Sequence, residues 1–70
     1  MNQYMATLAK NLKELMGDMT VCELSKNVGI AQPTLSRYLL CQRQIALENL
    51  TLLADYFHVE IDVLIGRKDD

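Results

Sequence analysis

The side chains from Gln32 to Arg37 could read a base sequence. Gln32, Pro33, Thr34, Ser36 and Arg37 fall within a single short run. A glutamine amide presents a donor and an acceptor that match adenine N6 and N7, and an arginine fork matches guanine O6 and N7. Thr34 and Ser36 carry short hydroxyls suited to phosphates or base edges. Pro33 offers an apolar edge to a thymine methyl. Lys26 and Arg43 can reach phosphates, and Gln42, Gln44 and Asn49 can bond a phosphate or a base. Taken singly, each of these is an ordinary exposed polar residue. They carry a joint meaning only if the chain holds them on one open face.

The surrounding pattern supplies such a face. Val21, Leu24 and Val28 recur at helical spacing, Gly29 interrupts them, and Leu35, Tyr38 and Leu39 resume on one side of a second helical run. Helix, Gly-containing turn and helix make a helix-turn-helix unit. Thr20 caps the first of these helices, with Glu23 three residues on completing a capping box. Gly29 provides the left-handed backbone that the turn requires. Ala31-Gln32-Pro33 opens the second, where proline is tolerated because first-turn amides lack intrahelical partners.

The same periodicity predicts helices over 4–16, 20–27, 31–40, 47–57 and 60–65. In the first, Tyr4, Met5, Leu8, Leu12, Leu15 and Met16 form the apolar stripe. In the fourth, Leu47, Leu50, Leu53, Ala54 and Phe57 point inward, and in the fifth Ile61 and Leu64 do so. The fold class is all-α: a compact five-helix bundle with the helix-turn-helix at about residues 20–40.

Met19-Thr20, Glu23-Leu24-Ser25, Val28-Gly29-Ile30, Gln32 and Thr34-Leu35-Ser36-Arg37 together resemble the helix-turn-helix of the phage Cro and lambda-repressor-like family, the xenobiotic-response-element type of regulator. The likeness continues through Leu47-Glu48-Asn49-Leu50, Leu53-Ala54, Val59 and Leu64-Ile65-Gly66. It implies a sequence-specific transcriptional regulator of double-stranded DNA, a repressor of phage, prophage or bacterial type. The third helix would lie in the major groove and the 42–44 loop on the DNA backbone, with a homodimer on a palindromic operator. The chain departs from the family at Val21, where many relatives carry a glutamine that touches phosphate. It also has a shorter link between the first two helices, and Cys41 and His58 stand at usual glycine positions. His58 is read as a left-handed helix end, while Cys41 resists a left-handed backbone, so the third helix is predicted to run slightly past it.

Composition bounds the alternatives. Seventy residues make a single domain, spanning 1–70 with 67–70 as a frayed tail. The net charge is −2, which argues mildly against nucleic acid, but it is unevenly spread. Residues 1–46 carry Lys10, Lys13, Lys26, Arg37 and Arg43 against Glu14, Asp18 and Glu23, a balance of +2, and residues 47–70 carry −4. No apolar run approaches the roughly 20 residues of a membrane span, and no leader peptide is expected after Met1, so a place in the bacterial cytosol or nucleoid is expected. Cys22 and Cys41 read as reduced thiols, and one histidine leaves no zinc spacing. No catalytic constellation or Gly-rich phosphate loop is present. The chain is therefore not read as an enzyme, and no metal, cofactor or small-molecule ligand is expected. Tyr56, Val63 and Ile65 are apolar residues surplus to a small core and suit a dimer contact. Two other readings stay open: an antitoxin-type regulator that also binds a toxin, and a protein-interaction module on the same fold without DNA binding.

Overall fold

A computed structural model describes residues 3–68. Among these residues the chain forms five helices: α1 (Gln3–Met16), α2 (Val21–Val28), α3 (Gln32–Leu39), α4 (Leu47–Phe57) and α5 (Ile61–Leu64). The principal contacts run α1 to α3, α3 to α2, α2 to α4, α4 to α5 and α5 back to α1, which closes a ring. Inside it lie Leu8, Leu12, Leu24, Leu35, Tyr38, Leu53 and Leu64, all fully buried. Burying a leucine of this kind contributes about 1.5–3 kcal/mol over leaving it in water. A chain this short buries only about 60% of its unfolded surface, so each of these contacts matters.

α1 buries Met5, Leu8, Ala9 and Leu12, the spacing of a single helical stripe. Tyr4 and Leu15 fall at the edge of that arc and are exposed, contrary to the sequence expectation, while Met16 packs half-buried against the core. Leu47 is a larger correction. It lies on the same arc of α4 as the buried Leu50, Leu53 and Ala54, yet it is 72% exposed. Periodicity locates an arc around a helix axis but not where along the axis the cover ends.

Helix ends are set by specific bonds. The Thr20 hydroxyl accepts from the Glu23 amide at 3.1 Å, and Glu23 Oε1 accepts from the Thr20 amide at 3.0 Å, so the capping box is complete. Gly29 takes φ +76°, and its amide donates to Ser25 O. Cys41 does enter the left-handed region, at φ +58°, and α3 stops at Leu39 instead of running on. Two bonds fix it there. The Cys41 amide donates to Tyr38 O at 3.1 Å and the Gln42 amide to Arg37 O at 2.8 Å, the paired arrangement of a Schellman motif. His58, at φ +57°, closes α4 in the same way, with amides 58 and 59 donating to Asp55 O and Ala54 O. Past α5, the Arg67 and Lys68 amides both donate to Asp62 O, and Lys68 Nζ pairs with Glu60 at 3.0 Å. Those two residues are thus held, and Asp69 and Asp70 of the expected frayed tail lie outside the described residues.

Candidate nucleic-acid interface

Buried Leu35 and Tyr38 define the inner side of α3 and so fix which side faces out. Pro33 and Arg37, four residues apart, stand opposite them and are exposed, as is Gln32 at the helix start. Thr34 and Ser36 flank this face and are half-buried. The five residues singled out by type therefore do share one helix. Its N-terminus has no side-chain cap on Ala31, which leaves first-turn amides open to an outside acceptor.

The angle of α3 is set by polar contacts at its ends. Ser25 Oγ donates to Ile30 O across the turn at 2.6 Å, while Ile30 itself is buried. At the far end, Asn49 Nδ2 donates to the Tyr38 hydroxyl at 2.9 Å and ties α3 to α4. Tyr38 is thus a core residue with a partnered hydroxyl, and Asn49 spends one of its two donor hydrogens inside the protein. Asn27 Nδ2 donates to the Tyr56 hydroxyl at 2.9 Å, joining α2 to α4. Asn11 Nδ2 donates to Leu64 O at 2.8 Å, anchoring α1 on α5. Sequence reasoning missed Ser25, Asn27 and Asn11 as positioning residues. Only Ser25 left a signal, as part of the family-like motif before the turn.

The loop after α3 carries Gln42, Arg43 and Gln44, all exposed. Lys26 is exposed on α2. None of Lys10, Lys13, Lys26, Arg37 and Arg43 forms an ion pair among the described residues. The cations of the basic half therefore touch no carboxylate directly, and Lys26 acts on Glu23 only through space. In contrast, Glu23 is engaged: the Thr20 amide above all, then the Thr20 side chain and more weakly Lys26, hold its carboxyl below the ordinary glutamate value despite a small opposing desolvation.

Tyr56, Val63 and Ile65 are half-buried. Tyr56 and Ile65 pack against the core, and Tyr56 makes an edge-on contact with Phe57 at 4.9 Å between ring centres. They offer less free surface than their sequence positions suggest. The most exposed large apolar side chains are instead Leu47 and Leu40. Cys22 is exposed and Cys41 half-buried. Among the described residues no three His, Cys, Asp or Glu side chains are grouped to hold a metal, and no helix is long and apolar enough to cross a membrane.

No curated protein matches the chain, and no solved structure does. Residues 9–44, from within α1 to the end of the α3–α4 loop, match the family model described as bacterial regulatory protein, arsR family. That stretch is more than half of the chain and holds the whole helix-turn-helix, so the chain belongs to the arsR family of bacterial regulatory proteins.

Proposed function

We propose that this regulator is a repressor that binds a palindromic operator as a homodimer, with α3 of each copy in the major groove. The observation that carries the reading is the outer face of α3: Gln32, Pro33 and Arg37 exposed together, with Arg37 free of any ion pair among the described residues. Arg37 reads guanine and Gln32 adenine. Thr34, Ser36, Lys26, Gln42, Arg43 and Gln44 serve phosphates or base edges, and Asn49 contributes through the donor hydrogen that Tyr38 leaves free. Repression follows from occluding a promoter.

The arrangement proposed is that of phage Cro and lambda-type repressors. Its support is that α4 and α5 follow α3, where a winged domain would place a β hairpin. One recognition helix reads few base pairs. Two copies related by a two-fold axis would set their α3 helices about 34 Å apart, one turn of DNA. Tyr56, Val63 and Ile65 are the proposed contact between copies. A cytoplasmic site of action accompanies this reading.

A second reading, a protein-interaction module on the same fold, is favoured by the net charge of −2 and by Val21, which cannot donate to a phosphate. Selection of bound sites from random duplex DNA separates the two. An enriched palindrome is the expected result, and no enrichment above unselected DNA would overturn the proposal.

A further inference from the structure

Lys10 and Lys13 lie one turn apart on α1, and both are exposed. With Ala6, Ala9, Leu39 and Leu40 they line an open depression of about 550 Å³ between α1 and the C-terminal end of α3. Leu40, 64% exposed, forms its outer wall. Like charges at this spacing on a helix repel each other. Glu14 borders the same depression, four residues after Lys10, yet neither lysine forms an ion pair among the described residues. Lysine preceding glutamate is the weaker order for such a pair.

This basic surface is joined to the 42–44 loop. Cys41, which roots that loop, also borders the depression, and its Sγ lies 3.6 Å from Met5 O on α1. The two bonds of the Schellman motif hold Cys41 from the α3 side. Arg43 follows two residues later. Cys41 thus ties the loop that carries Arg43 to the depression that Lys10 and Lys13 line.

We infer that Lys10 and Lys13 are phosphate-contacting residues that extend the DNA interface from the 42–44 loop onto α1. This rests on the reading of the protein as a DNA binder. The occupant is the backbone of the same duplex, because only a polyanion meets several unpaired cations spread over α1, α3 and the loop without requiring shape complementarity. Such contacts carry no sequence information. They would raise affinity for every duplex and offset the missing phosphate donor at Val21.

The test compares the full chain, Lys10→Gln/Lys13→Gln, Glu14→Gln and Arg43→Ala by salt titration of binding, on a selected operator and on a random-sequence duplex. Each lost phosphate contact lowers the slope of log affinity against log salt by about 0.9. The double lysine variant should lose close to two units on both duplexes, with the ratio of specific to random affinity unchanged and the melting temperature intact. Glu14→Gln should tighten both. A slope that the lysine variant leaves unmoved, while Arg43→Ala reduces it, would overturn the inference and leave the DNA reading standing. Loss confined to the selected operator would also overturn it. If the unmodified chain binds neither duplex, the DNA reading itself fails, and an acidic protein segment becomes the occupant to test.

Discussion

The Asn49 amide donates to the Tyr38 hydroxyl at 2.9 Å, so α3, the helix proposed to face DNA, and the core helix α4 share a polar bond next to the buried apolar core. Removing a half-buried hydrogen bond of this kind costs about 0.5–1.5 kcal/mol. Tyr38→Phe should lower stability by that amount, measured by urea unfolding. DNA affinity separates two roles for Asn49. If it only positions α3, Asn49→Ala and Tyr38→Phe should weaken binding equally. If it also holds a phosphate, Asn49→Ala should weaken binding further, on selected and random duplexes alike, and leave the salt slope unchanged, because a neutral amide releases no counterion.

Arg37→Ala should cost about 1–3 kcal/mol on the best operator and relax preference at one base pair. Gln32→Ala should do the same at a different position, one with an A·T pair. Affinity for random duplexes should fall much less in both. Equal losses on selected and random DNA would show that these side chains touch only phosphate.

Glu23 gives the fold a pH dependence with a defined sign. Its carboxyl is held below the ordinary glutamate value, chiefly by the Thr20 amide. A group depressed in the folded state stabilises it fully above the unfolded value, about 4.3, and loses that contribution as pH falls below it. Glu23→Gln keeps a capping acceptor but does not titrate. Melting temperatures of the two proteins should therefore converge in acid and separate toward neutral pH, with the parent the more stable. A difference that stays constant across the range would detach Glu23 from the acid transition.

Gly66 is constrained from two directions. It adopts φ +82°, and a Cβ there would stand 2.5 Å from Thr7 Cγ2 on α1. Gly66→Ala should destabilise the protein by about 1–3 kcal/mol from backbone strain, with the contact adding to it. Pairing the change with Thr7→Ser should recover the contact part and leave the strain. Full recovery would show that the backbone angle costs little.

The proposed dimer contact predicts two copies per operator and cooperative binding that Val63→Asp abolishes while the monomer stays folded. Sedimentation on a selected site reads the stoichiometry. One chain per duplex at saturation, or cooperativity that survives Val63→Asp, would remove Val63 from the contact. Leu47, 72% exposed, then becomes the residue to substitute.

Much of this was legible because local chemistry determines it. Thr20 and Glu23 at capping-box spacing, Gly29 at the turn, and the Leu35–Tyr38 inner side of α3 needed only neighbours within a few residues. Even His58, an unusual left-handed residue, could be placed, because the resembled family usually has glycine there. What escaped depends on distance along the chain. The Asn11 bond to Leu64 O joins residues 53 apart, and no pattern in either segment announces it. Cys41 was misjudged because its intrinsic preference was weighed without the two amide bonds and the Met5 carbonyl that hold it. Leu47 was misjudged because helical spacing carries no information about where neighbouring helices stop.

The ring of helix contacts has a consequence for cooperativity. In an open chain of packed helices, an end helix can detach at the loss of a single interface. Here the principal contacts give each helix two neighbours, so any helix that leaves breaks two interfaces together. α5 is four residues long, too short to be helical alone, yet it joins α1 to α4. The Leu64 and Ile65 amides, which donate to Glu60 O and Ile61 O, should exchange with solvent at rates close to global unfolding, not at the fast rate of a fraying end. A chain cut before Ile61 would lose the α1 and α4 interfaces of α5 together and leave an open chain in which α1 and α4 become end helices with one principal neighbour each.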